Sequence, residues 1–127
     1  MLYFYSGIIL AIFMIEVREY FYENKKSPFT EWFNKLHGLA ATKVATSLSK
    51  LQRGNTSSLK SVGDGVYESR LNWGPGYRIY LGKEDETLII LLGGGTKKTQ
   101  QNDIIRAKIL WKEYKVRKKE NRYGTDS

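Results

Sequence analysis

Cysteine is absent from this chain, histidine occurs once, at His37, and proline only twice. Without cysteine there is no disulfide framework and no thiolate metal site, and a reducing cytoplasm is the natural setting. A lone histidine argues against a zinc centre or a histidine-based catalytic apparatus. The apolar stretch from Gly7 to Ile15 falls short of the roughly 20 residues that a bilayer-spanning helix needs. It also lacks the basic leader and small-residue cleavage site of a signal peptide, so no membrane partner is expected.

What the chain does have is positive charge: 21 lysines and arginines against 13 acidic residues give a formal +8 over 127 residues. That field draws in phosphates, anionic lipid or an acidic partner without choosing among them. The length suits one domain with a single modest core. The N-terminus reads either as an extra apolar strand or anchor, or as sequence ahead of a true start at Met14. The second reading is preferred, because Ile15 and Val17 alternate with Glu16 and Arg18 as in the first strand of a small α+β domain.

Ser27-Pro28 is a helix-start signature, with serine as cap and proline in the first turn. It opens a helix whose Phe29, Trp32, Phe33 and Leu36 form one apolar stripe. His37-Gly38 closes it, and a second helix runs from about Ala40 to Arg53, with Val44, Leu48 and Leu51 on one face. The pair is expected as a helical hairpin. From Leu59 the period changes to two, giving strands at 59–62, 66–73, 77–82 and 87–92 as a meander. The 88–92 run is apolar on both faces and belongs in the middle of the sheet. Thr99 or Asn102 caps a last helix over about 100–118, carrying Ile104, Ala107, Trp111 and Tyr114. The fold class is α+β: an antiparallel-rich sheet packed against the helical hairpin, with a C-terminal helix.

"GGGTKKTQ", residues 93–100, stands between strand and helix as a nucleotide loop does. Its spacing excludes that function: aligning Lys98-Thr99 with the lysine and hydroxyl of such a loop puts Leu92 and Lys97 where glycines are obligatory. The glycines read instead as the exit from the strand. His37, at a helix end, is expected to cap carbonyls rather than act as a base, and Trp32 and Trp111 to be core.

"YESRLNWGPGYRIY", residues 67–80, carries more chemistry. If Gly74-Pro75-Gly76 is a three-residue loop, Arg70 faces Tyr80, Asn72 faces Arg78 and Trp73 faces Tyr77. Tyr67, Leu71, Trp73, Tyr77 and Ile79 then share the core face, and Glu68, Arg70, Asn72, Arg78 and Tyr80 the other. Two arginines on one sheet face repel unless an anion lies near them. Glu68 with these arginines could form an ordinary exposed ion-pair ladder of little energy. Alternatively, Arg70, Arg78, Lys97, Lys98 and Tyr80 form a concave basic patch on an open face, suited to a phosphodiester: arginine forks grip non-bridging oxygens, and lysines add charge or accept a proton. Cleavage of RNA by its own 2′-hydroxyl needs a base, an acid and donors for the charged phosphorane, and no metal or cofactor.

"MIEVRE", "LQRGN", "VGDGVYESRLNWGPGYRIY" and "LIILLGGGTKKTQQNDIIRAK" together resemble the HigB-like addiction-module killer proteins of the RelE/ParE toxin superfamily. The resemblance covers about residues 14–116, leaving 1–13 as an extension outside the family and 117–127 as a basic, disordered tail. It implies a RelE-like fold and a bacterial type II toxin in the cytoplasm, neutralised by a helix-turn-helix antitoxin. Such toxins are mRNA interferases that cut message on the ribosome. It carries Arg70 and Arg78 over as phosphate-binding or transition-state-stabilising residues, and Lys97 and Lys98 as the basic residue of the last strand. Tyr80 is a further catalytic candidate and Asn72 a nucleic-acid contact. No histidine equivalent marks the acid or base. A ParE-like gyrase inhibitor, or an inactive antitoxin-binding module, is the alternative within the same fold.

Overall fold

In the computed structural model, the described residues are 2–5, 8–11 and 14–122. β1 (Leu2–Tyr5) and β2 (Ile8–Ala11) pair antiparallel as a sheet of their own. The body holds β3 (Glu16–Glu19), α1 (Pro28–Phe33), α2 (Gly38–Gln52), β4 (Lys60–Gly63), β5 (Val66–Leu71), β6 (Tyr77–Asp85), β7 (Leu88–Thr96) and α3 (Gln100–Arg122). A single 3₁₀ turn, Lys97–Thr99, joins β7 to α3. The class is α+β, as the sequence indicates.

The five strands lie in the order β3-β7-β6-β5-β4. The meander pairs antiparallel throughout, but β3 runs parallel to β7, so the sheet is mixed. β7 is an interior strand, flanked by β3 and β6, in keeping with its two apolar faces. Ser27 caps α1 as expected, its Oγ accepting from the Thr30 N–H at 3.1 Å with Pro28 in the first turn. His37 is the exposed N-cap of α2 and makes no side-chain cap bond.

Side chains alternate between two cores, one on each side of the sheet. Phe29, Val44 and Leu51 of α1 and α2 pack on Ile79, Leu81, Ile89 and Leu91. On the opposite face Ala107, Leu110 and Trp111 of α3 pack on Val66, Tyr80, Ile90 and Leu92. This second layer corrects the expectation of an open face: the side carrying Glu68, Arg78 and Tyr80 lies beneath α3. That helix also continues to Arg122, into the stretch expected as a disordered tail; residues 123–127 lie outside the described residues. Its extension is anchored. Tyr20 donates to Glu113 at 2.8 Å, the Arg117 guanidinium sits 4.7 Å from the Tyr20 ring centre and donates to the Phe21 carbonyl at 2.9 Å, and Lys118 pairs with Glu84. Burial first, then the bond to Glu113, pushes the Tyr20 hydroxyl up to about 12, keeping it a donor.

Two further expectations are corrected. The β5–β6 register is Leu71↔Tyr77, Arg70↔Arg78, Ser69↔Ile79 and Glu68↔Tyr80, two residues from the predicted pairing. The loop is longer than three residues because the turn closes between Trp73 and Gly76, whose N–H donates to the Trp73 carbonyl at 3.2 Å, with Gly74 and Gly76 both at positive φ. A shift of two preserves the faces, so Glu68, Arg70 and Arg78 still share one side. The glycines of 93–95, in turn, are not an exit. They continue β7 against β6 to Thr96, opposite Tyr77.

Two of them, Gly94 and Gly95, admit large groups. A bulge at Leu92, between the Tyr80↔Gly93 and Leu81↔Leu91 pairs, changes the strand's parity. Gly94 then meets the Trp32 indole, 2.2 Å from where a Cβ would stand, and Gly95 meets the Asp103 carboxylate of α3. Gly82 admits Trp111 in the same way, with the ring 2.4 Å from the would-be Cβ. Gly82→Ala is therefore expected to destabilise the fold by roughly 1–3 kcal/mol in urea unfolding, the usual cost of forcing volume into a packed interior. An unchanged midpoint would contradict the close seating of Trp111.

Candidate functional site

β5 and β6 bring Glu68, Arg70, Arg78 and Tyr80 together on the α3 side of the sheet, and the start of α3 adds Gln100. The Glu68 side chain is fully buried and is the hub of the cluster. Its Oε1 accepts from Arg70 Nε at 2.8 Å. Oε2 accepts from Gln100 Nε2 at 2.8 Å and from the Tyr80 hydroxyl at 3.2 Å, with Arg78 Nε at 3.5 Å. The Arg78 Nε is buried with no hydrogen bond of its own, while its Nη1 donates to the Gly76 carbonyl at 2.8 Å.

Burial pushes the Glu68 carboxyl up, but the hydrogen bonds from Arg70, Gln100 and Tyr80 outweigh it and hold the group below the ordinary carboxylate range. The neighbouring phenol moves the other way. Burial, with the Glu68 charge and hydrogen bond, raises Tyr80 well above its usual value, so it remains a protonated donor. Tyr80 is 1 % exposed, which corrects its expected place on an open basic patch. The exposed ion-pair ladder is likewise excluded, because its carboxylate is in the interior. Glu68 and Arg78 are buried in a setting of low dielectric, and with the partly exposed Arg70 they form an ionic cluster with one positive charge in excess.

The two arginines differ in access. The Arg78 side chain is 7 % exposed and the Arg70 side chain 44 %, so Arg70 is the one presented to solvent while still fastened to Glu68. Lys97 reaches the same place from the 3₁₀ turn: its Cβ lies 3.4 Å, and Arg78 Nη1 3.1 Å, from the position a Cβ would take on Gly76. Lys97 and Lys98 are both exposed, and Lys98 shares the turn. Thr96 and Thr99 brace that turn, with the Thr96 N–H donating to Thr99 Oγ1 at 3.3 Å and Thr99 donating to Asp103. Asn72 lies just beyond β5, exposed, away from Glu68 and beside Trp73.

The structure thus unites Arg70, Arg78, Tyr80 and, at the rim, Lys97. It adds two residues that the sequence did not single out as site members. Glu68 had one signal, its i, i+2 spacing from Arg70 on a strand. Gln100 had none, since only the tertiary fold carries the start of α3 over β5. Among the described residues, no group of three or more histidine and acidic side chains is arranged to hold a metal ion, and no helix is long and apolar enough to cross a membrane.

With this geometry in view, the chain can be set beside known proteins. A protein of Haemophilus influenzae, described as uncharacterized, is 45% identical over 86 residues, which are 67% of this chain and 87% of the relative. The chain belongs to that protein's family. No protein-family model matches it. Family membership at this level carries the fold across and leaves chemistry to be argued from the site itself.

Glu68 contributes to the pH response of the fold. Its native value is depressed, so its contribution to stability is fully present above the unfolded value of 4.5 and is lost as pH falls through the lower folded value. Glu68→Gln is expected to cost about 3–5 kcal/mol near neutrality, the usual result of leaving buried charges uncompensated, and markedly less at pH 3. Urea unfolding of both proteins across that range measures the difference; an equal loss at both ends would contradict an ionised Glu68.

Proposed function

We propose that this chain is the toxin of a type II toxin–antitoxin pair, with a RelE-like fold and a HigB-like relation to the RelE/ParE superfamily. It acts in the cytoplasm as a metal-independent endoribonuclease that cuts mRNA on the ribosome and stops translation. Its partner is a helix-turn-helix antitoxin. The observation that carries this reading is the pair of cross-strand arginines fastened to one buried carboxylate, with one guanidinium still open to solvent and a lysine turn at its edge.

The chemistry follows from charge and position. Attack of a 2′-hydroxyl on the adjacent phosphorus forms a cyclic phosphate and releases a 5′-hydroxyl, and negative charge grows on the non-bridging oxygens in between. A donor already fixed where that charge develops needs no reorganisation, which is the main source of such stabilisation. Arg70 is that donor, held by Glu68 yet with much of its guanidinium free. Arg78 is too deeply set to wrap a polymer and acts by adding positive potential and keeping Glu68 ionised. Tyr80 and Gln100 are positioning residues, since both spend their donors on Glu68. Lys97, exposed beside Arg78, and Lys98, exposed in the same turn, supply the remaining charge and exchange protons with the attacking and leaving oxygens.

Controlled expression in bacteria with mapping of mRNA 5′ ends tests the reaction. The wild-type chain is expected to arrest growth with newly cut messages, and Arg70→Ala to lower cutting by about 10²-fold or more, the scale for losing one transition-state donor. Cutting that survives removal of both Arg70 and Lys97 would contradict the site. Arrest with a DNA-damage response and intact message would instead favour gyrase as the target.

A further inference from the structure

A second feature adjoins the arginine cluster from the other side of the sheet. Between α2 and the outer part of β5 runs a groove of about 500 Å³. One wall is a helical face with Thr42, Lys43, Thr46 and Lys50; the other is the chain from Ser69 to Trp73. This length of β5 is open because β4 pairs with it only as far as Glu68, so Ser69–Leu71 carry no strand on that edge. Lys43, Lys50 and Arg70 line the groove, and none of its described lining residues is acidic. On a chain with 13 acidic residues that segregation defines a binding preference for an anion.

The groove also has an aromatic floor. Trp73, half-buried, stacks on Tyr77 at 6.0 Å and 24°, and Tyr77 meets Trp32 edge-on at 6.3 Å, so the indole is held flat from below. Lys43 Nζ lies 5.2 Å from the Trp73 ring centre. A flat indole beside cations and hydroxyls is the combination used for single-stranded nucleic acid, where bases stack and phosphates meet lysines. A simple phosphate would not require the ring, and an acidic peptide would not require a stacked one.

We infer that this groove is the track for the single-stranded RNA flanking the cleaved phosphate. One base stacks on Trp73, replacing the Lys43 ammonium, which turns to a phosphate; Lys50 takes another. Arg70 belongs to both features: it lines the groove and is bonded to Glu68, so a strand in the groove is led to the arginine cluster. The inference deepens the RNA-cleavage reading and rests on it for the identity of the polymer.

Fluorescence anisotropy with a labelled single-stranded 2′-O-methyl RNA, which cannot be cut, tests the track with the full chain apart from catalysis. Neutralising Lys43 and Lys50 together is expected to weaken binding roughly tenfold or more and to lower the slope of log affinity against log salt by about 1.4, two phosphate contacts on a single strand. Trp73→Leu should weaken binding roughly tenfold and remove part of the tryptophan quenching caused by RNA. Neutralising Lys112 and Lys119 on α3 gives the baseline for general charge loss, and far-ultraviolet circular dichroism confirms that each variant is folded. A groove effect no larger than that baseline, or no RNA binding at all, overturns the inference. The outcome is separable from the catalytic one. Groove-dependent binding without cut message in cells keeps the track and removes the nuclease, whereas message cut equally by wild type and groove variants keeps the nuclease and removes the track.

Discussion

A carboxylate in the interior of a small basic protein has to be surrounded by donors, and the fold around Glu68 is arranged to do so. Arg70 reaches it from its own strand, Tyr80 from the strand opposite, and Gln100 from the first turn of α3. Removing water from such a group is costly, and only hydrogen bonds and positive charge restore what is lost. The consequence is that α3 cannot shift along the sheet without breaking the Gln100 contact. The arginines, in turn, are held at a fixed spacing that their mutual repulsion would otherwise oppose. Stability and site geometry therefore depend on the same carboxylate.

The glycines serve the same end by different means. Gly94 and Gly95 give up side chains so that Trp32 can press on one face of β7 and Asp103 on the other, and Gly82 does likewise for Trp111. Close seating of α1 and α3 brings the Lys97–Thr99 turn against the β5–β6 loop, where the Lys97 N–H approaches the Pro75 carbonyl. What resembles a phosphate loop in sequence is thus a packing device whose far end places a lysine beside Arg78.

Much of this was legible because it is local. The Ser27-Pro28 cap, the change from helical to strand period after Leu59 and the sorting of Glu68, Arg70 and Arg78 onto one face all follow from neighbours in the chain. The hairpin register was not, since the number of glycines between strands does not fix where a turn closes. The glycine run resembles a strand exit because the partners of Gly94 and Gly95, Trp32 and Asp103, are remote in sequence. The cover over the arginine face was missed for a related reason. The stripe of Ile104, Ala107, Trp111 and Tyr114 marks which side of α3 packs, but nothing local to the helix marks which face of the sheet it covers. Burial turned an apparent open patch into a shielded ionic cluster with one accessible arginine.

The charge state of Glu68 is the point on which the account turns. Carbon-13 NMR of the side-chain carboxyls, titrated from neutral pH into acid, follows this group directly in the folded protein. The account predicts that the Glu68 resonance keeps its ionised shift through the range where exposed glutamates protonate and changes only below it. A Glu68 that takes up its proton at or above the ordinary value of 4.5 would contradict a buried anion holding two arginines in place.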